Sequence, residues 1–167
     1  MIFLDYFCML MDLDDRYKRV EKFIGMMTGE LALVNASGAV NMQFILMGQA
    51  IEVLGALLDN KPMKARGQSA NRFDLSVRVL FGGGYRVMNT GFYLYDKLRN
   101  QMVHAFIPGG DILLFDKEAD APARHLEKYE GSLVLAADVF YKDICAAGER
   151  LLRLIRSGKV PPKNIAF

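Results

Sequence analysis

Apolar residues recur at alternating three- and four-residue steps through long stretches of the chain. Tyr17, Val20, Ile24, Met27, Leu31 and Val34 do so first, which predicts a helix over 14–36 with one buried face. Asp14 and Asp15 suit the positive end of its dipole, and Ser37-Gly38 ends it. Phe44, Met47, Ile51, Leu54 and Leu58 predict a second helix over about 39–59. Asp59-Asn60-Lys61-Pro62 stops it, because proline disfavours helical geometry in the residue before it. The polar, basic stretch 61–71 reads as a loop. A shorter helix follows, with Phe73, Val77 and Leu80 inward. Gly82-Gly83-Gly84 reads as a turn or hinge. It lacks the Gly-Lys-Ser/Thr ending of a phosphate loop.

A further helix is predicted over about 89–106, ended by Pro108-Gly109-Gly110. Ile112-Leu113-Leu114-Phe115 is too short for a helix and reads as a small strand, and Pro122 as the opening of a short helical turn. The last helix is predicted over 132–157. Leu133, Ala137, Phe140, Ile144, Ala147, Leu151 and Leu154 form its stripe, with Ser132 as N-cap and Ser157-Gly158 as its stop. Together these elements predict an all-α fold, an antiparallel four- to five-helix bundle with a short strand after the 89–106 helix.

Three parts of the chain follow from this pattern: an apolar N-terminal segment over 1–13, the helical bundle over 14–157, and an extended basic tail over 158–167. The first segment lacks a basic n-region and a small-residue cleavage site, and is shorter than the ~20 apolar residues of a membrane span. It reads as packing against the domain or a second subunit, with no membrane involved.

Composition changes this picture in two ways. An apolar share of 52% over 167 residues excludes intrinsic disorder and points to apolar surface buried against a partner. A net charge of +2 gives no global electrostatic attraction to nucleic acid, so any RNA contact must come from local basic patches. Two such patches stand out. One is Lys61, Lys64, Arg66 and Arg72; the other is Arg150, Arg153 and Arg156. The competing reading of both is a solvated face. Cys8 and Cys145 form no CxxC pair, which fits a reducing cytoplasm. No His-Glu-x-x-His pattern or other metal-ligand spacing occurs, and no cofactor or metal is expected.

The chemistry-bearing candidate lies in Leu94-Tyr95-Asp96-Lys97-Leu98-Arg99-Asn100-Gln101-Met102-Val103-His104. At about 100° per residue, Leu94, Leu98, Met102 and Ala105 cluster on one side as the core stripe. Asn100 then points nearly opposite, with His104 about 40° from it and Arg99 about 140° from His104. The motif is thus expected to face away from this helix's own core. Polar residues on an exposed face are the simplest account of it. The alternative is a shared site, in which a second copy of the helix faces the first. Arginine and histidine are suited to RNA cleavage by the substrate's own 2′-hydroxyl. Histidine accepts or donates the proton, and arginine grips phosphate oxygens with a forked, permanent charge.

This segment resembles the signature helix of the HEPN superfamily. That family is marked by an arginine, often followed by a polar residue such as asparagine, and by a histidine four to six positions beyond the arginine. The resemblance implies an all-α bundle acting as a homodimer, with Arg99 and His104 catalytic and Asn100 supporting. It implies a metal-independent endoribonuclease of a toxin–antitoxin, defence or RNA-processing system, or a scaffold that has lost the activity. It also implies a protein antitoxin or regulator as partner. One HEPN subgroup carries a tyrosine two residues after the histidine, where adenylyl groups are attached. Phe106 stands there in this chain and has no hydroxyl to modify. The rival to catalysis is a non-catalytic helical module that binds a protein or nucleotide.

Overall fold

The structure, a computed structural model, describes residues 2–165, with the backbone alone for residues 2–10. Six α-helices and a three-stranded mixed sheet make up its regular elements, so the fold is helix-rich but not all-α.

Helix α1 spans Ile2–Ala36. It begins twelve residues before the expected start, so Asp14 and Asp15 lie inside the helix and do not cap it. Their role is lateral. Asp12–Arg16, Asp14–Lys18 and Asp15–Arg19 form ion pairs one turn apart at 2.6, 2.7 and 2.8 Å on the solvated face. Val20, Ile24 and Leu31 are buried on the other face, as the periodicity predicts. The expected packing of residues 1–13 falls almost wholly on side chains outside the described residues.

Helix α2 (Val40–Leu58) is the central element, with Phe44, Met47, Ile51 and Leu54 fully buried. Among the described helices it alone has the length and composition to cross a bilayer. Here it packs against α1, α3 (Ser69–Leu80) and α6 (Ala137–Arg156). The α2–α3 crossing is tight because Gly55 has no side chain. A Cβ there would come within 1.9 Å of the Arg72 carbonyl oxygen.

The three glycines do not form a free connector, because Gly83 and Gly84 open the short helix α4 (Gly83–Met88). The expected 89–106 helix is not continuous either. Asn89 is followed by a 3₁₀ turn, Thr90–Phe92, in which Gly91 and Phe92 adopt left-handed φ values of 64° and 63°. A π-turn then covers Tyr95–Asn100, and helix α5 covers Gln101–Ala105. The turn is visible in the Gln101 N–H, which bonds the Asp96 carbonyl five residues back. Phe106, at φ 62°, ends the helix in the left-handed conformation.

The expected strand is present as β1 (Ile112–Phe115). Two more accompany it, β2 (Lys128–Tyr129) and β3 (Ser132–Ala136). The order is β1-β3-β2, with β3 parallel to β1 and antiparallel to β2. The last helix therefore starts at Ala137, not at 132, and Ser132 opens a strand instead of capping a helix. The reason is the unbroken apolar run Leu133-Val134-Leu135, buried throughout as the central strand of the sheet. Periodicity alone does not separate such a run from the start of a helix. The 3₁₀ turn near Pro122 spans Glu118–Asp120 and ends before the proline.

The tail is tied down along 159–165. Lys163 Nζ donates to the carbonyls of Ala56 and Asp59 and to Asp59 Oδ1, at 2.6, 2.6 and 2.7 Å. A cation is well placed there, against the last carbonyls of α2.

Candidate functional site

Leu94, Leu98 and Met102 are fully buried, as the stripe predicts, and they seat the motif segment on the core, whereas Ala105, the fourth residue of the stripe, is exposed at the end of α5. Burial of each contributes roughly 1.5–3 kcal/mol. Asn89, itself buried, starts the segment. Its Oδ1 accepts the Tyr95 N–H at 3.1 Å, and its Nδ2 donates to Asp74 Oδ1 at 3.1 Å. Two contacts fix the exit. The Gly109 N–H bonds the Lys97 carbonyl at 2.8 Å, and Asn41 Nδ2 bonds the Phe106 carbonyl at 3.3 Å. Beside them Tyr93 donates to Asp111 Oδ2 at 2.5 Å. Burial and the neighbouring Asp111 carboxylate push the Tyr93 phenol up to about 12; the Tyr93 hydrogen bond holds the Asp111 carboxyl below its usual range.

His104 lies on the exposed side of α5 and makes no hydrogen bond or ion pair with the described residues. Its neighbours along the chain are largely apolar. Val103, Phe106 and Ile107 follow the same chain segment, and Met42 of α2 lines a groove with Phe106; all four are exposed, Ile107 at 65%. Asn100 is half-buried and bonds Asp96 Oδ1 at 3.4 Å.

Arg99 departs from expectation. It does not face away from the protein but lies against α2, with its side chain only 13% exposed. Gly48 makes the room, since a Cβ there would sit 3.2–3.4 Å from Arg99 Cα, Cβ and Cγ. Arg99 Nη2 pairs with Glu52 Oε2 at 2.7 Å and donates to Gln49 Oε1 at 3.1 Å. The guanidinium carbon lies 5.9 Å from the Tyr95 ring centre. Sequence reading passed over Glu52, although a signal existed: it is the one charged residue in the nineteen of α2.

The basic candidates separate into fixed and free. Arg72 is 5% exposed; it pairs with Asp59 Oδ2 at 2.7 Å and donates to the Met63 and Pro62 carbonyls at 2.8 and 2.7 Å. It clamps the 59–63 turn. Asp59 sits between Arg72 and Lys163. Burial would raise its carboxyl, but the bonds from Arg72, Lys163 and the Lys61 N–H outweigh this and hold it below the usual range. Lys61 bonds Gln68 Oε1, while the Lys64 and Arg66 side chains are exposed and make no polar contact among the described residues. Arg150 donates to the Leu80 carbonyl at 2.9 Å. Arg153 pairs with Glu149 at 3.7 Å, and Arg156 with Glu21 at 2.8 Å beside the Tyr17 ring.

A second polar cluster surrounds the other histidine. His125 Nδ1 accepts the Ala136 N–H at 2.9 Å, which leaves the ring proton on Nε2. Nε2 then donates to Tyr85 Oη at 2.8 Å, and Tyr85 donates to Asp143 Oδ2 at 2.7 Å. Phe140 packs against both rings. Burial pushes the imidazole down to about 4, against the pull of Asp143, Glu118 and Asp138. Burial and Asp143 also push the Tyr85 phenol well above its ordinary value.

Among the described residues, no group of three or more His, Cys, Asp or Glu side chains is placed to hold a metal, and Cys145 is unpaired. No family model matches the chain, and neither do curated proteins or solved structures.

Proposed function

We propose that the chain is a metal-independent endoribonuclease of the HEPN type, working as a homodimer whose paired motif segments enclose one RNA linkage. The helical part of the chain is read as the antiparallel bundle of that family. The observation that carries the proposal is His104, exposed and without a polar side-chain partner among the described residues, on a segment whose Val103, Phe106 and Ile107 are exposed as well. Exposed apolar side chains next to an unengaged imidazole in the chain suit burial against a second copy.

In the reaction, the 2′-hydroxyl oxygen of RNA attacks the adjacent phosphorus while its proton passes to a base. The P–O5′ bond breaks and O5′ takes up a proton. The products are a 2′,3′-cyclic phosphate and a 5′-hydroxyl. His104 of the two copies would serve as acceptor and donor, Arg99 would neutralise the phosphorane, and Asn100 would support the imidazole or a phosphate oxygen. Exposed Lys64 and Arg66 are free to meet more distant phosphates. A reducing cytoplasm and a toxin–antitoxin or defence setting follow from the same reading. Phe106 leaves no hydroxyl for control by adenylylation at that position.

One observation favours a second reading, a non-catalytic module that binds a protein or nucleotide. Arg99 is already paired with Glu52, which occupies part of the charge a phosphate would need.

The test is cleavage of RNA in EDTA by wild type, His104→Ala and Arg99→Ala, with product ends assigned and the oligomeric state measured by sedimentation. Cleavage by a wild-type dimer and loss in both variants supports the nuclease. Equal cutting by all three marks contamination, and an inactive wild type favours the module.

A further inference from the structure

We propose that Glu52, braced by Ser69, is a positioning residue for Arg99, holding one terminal nitrogen of the guanidinium against α2 so that the other meets a substrate phosphate. The inference rests on the nuclease reading above and adds a residue to that site.

Glu52 is a lone carboxylate in an otherwise uncharged helix, and only 13% of its side chain is exposed. A carboxylate so far withdrawn from water is costly unless it is paired. Its two oxygens are divided between two neighbours. Oε1 accepts the Ser69 hydroxyl at 2.8 Å from the first residue of α3, and Oε2 faces Arg99 Nη2 at 2.7 Å as an ion pair without hydrogen-bond geometry. Gln49 Oε1 accepts from the same Nη2 at 3.1 Å. Three elements, α3, α2 and the motif segment, are thereby linked through one carboxylate. The guanidinium is planar and rigid, so holding Nη2 sets the direction of the whole fork. Among the described residues Nη1 makes no polar contact and the buried Nε has no hydrogen-bond partner, which leaves Nη1 for an anion. Gly48, one turn before Glu52, provides the space that brings Arg99 to this carboxylate.

A positioning role and a neutralising brake predict opposite outcomes. If Glu52 orients Arg99, removing it slows the chemical step. If it merely cancels the Arg99 charge, removing it strengthens phosphate binding.

The experiment measures kcat and KM for RNA cleavage by the full chain in EDTA. The variants are Glu52→Ala, Glu52→Gln, Ser69→Ala, Arg99→Ala and Glu52→Ala combined with Arg99→Ala. Binding of a labelled, uncleavable 2′-O-methyl RNA oligonucleotide is followed in parallel by fluorescence anisotropy. Glu52→Ala is expected to lower kcat by about 10²-fold, the scale of a misplaced catalytic group, and to weaken binding of the oligonucleotide by only a few-fold. Glu52→Gln keeps an acceptor for Nη2 and should recover much of that loss. Ser69→Ala should cost a few-fold, and it carries the comparison if Glu52→Ala does not fold. In the Arg99→Ala background, loss of Glu52 should cost nothing more.

Cleavage as fast or faster without Glu52, or tighter oligonucleotide binding, overturns the proposal. So does an equal loss with and without Arg99, which would mark general structural damage. If the wild type does not cleave RNA, the nuclease reading fails on its own. Positioning is then decided by binding: weaker binding in both Arg99→Ala and Glu52→Ala retains it, and unchanged binding in Glu52→Ala rejects it.

Discussion

The chain contains two histidines, and the fold treats them in opposite ways. His125 has both ring nitrogens occupied, one by the Ala136 N–H and one by Tyr85, and it is packed between aromatic rings. His104 has neither nitrogen engaged and stands at the surface beside apolar side chains. The first ring is held neutral and joins α4, β3 and α6. The second keeps both nitrogens open to whatever approaches. Residue type is therefore a poor guide to role. An imidazole with every valence spent inside the protein stabilises it, and one with none spent is available for chemistry.

The widest separation between the two sites should come from alanine substitution. On the nuclease reading, His104→Ala lowers RNA cleavage by 10²-fold or more, the usual contribution of a general acid or base. Its melting temperature should stay near that of the wild type, because the exposed side chain makes no polar contact among the described residues. His125→Ala should do the reverse. It leaves the Ala136 N–H without its acceptor, removes the donor to Tyr85 Oη and opens a gap beside Phe140, at a cost of about 2–4 kcal/mol in chemical denaturation. Large loss of stability in the first variant and none in the second would erase the contrast.

The pH dependence of stability gives the next effect. The folded protein holds the His125 imidazole at about 4, below the unfolded value near ~6.5. Between those values the unfolded chain binds the extra proton. The contribution is thus fully present above pH ~6.5 and is lost as pH falls towards 4, on the order of 3 kcal/mol in total. Urea titrations across that range should show the decline, and a folded His125→Asn variant should show less of it. A wild-type slope that matches the variant's would mean that His125 is not the group responsible.

Tyr85→Phe should cost somewhat less, about 1–3 kcal/mol, because Asp143 loses a donor and His125 Nε2–H loses its acceptor. His104-dependent cleavage should be unaffected, since none of the side-chain hydrogen bonds of this cluster reaches the motif segment.

The smallest effect is expected for Gly48→Ala. Alanine favours a helix interior by about 1 kcal/mol over glycine, which offsets the crowding of a Cβ placed 3.2–3.4 Å from Arg99. Stability should change little. Displacement of Arg99 by a few tenths of an ångström should still lower kcat several-fold. Unchanged kcat in a folded variant would show that the α2–Arg99 approach is not tuned.

Much of the helical scaffold could be read in advance. The stripes of α2 and α3, the core positions Leu94, Leu98 and Met102, and the strand at 112–115 all follow from spacing and length. The misreadings have a common origin. Leu133-Val134-Leu135 fits both periods, and only the presence of β1 and β2 on either side makes it a strand. The segment from Asn89 to Phe106 looks like one helix in sequence, but left-handed residues and a π-turn divide it. Arg72 resembled a surface cation because its partners, Asp59 and two carbonyls, come from a turn nine to thirteen residues away.

Local periodicity and residue chemistry determined where most helices form, which faces they bury, and that Arg99, Asn100 and His104 share one segment. Only the tertiary structure decided that Arg99 turns inward to Glu52, that His104 stays free, and that His125 is locked. Hydrophobic periodicity is a property of neighbours along the chain, written in every turn of a helix. The partner of a charged or polar group is chosen by elements that meet across space, at separations as long as the 50 residues between Gln49 and Arg99.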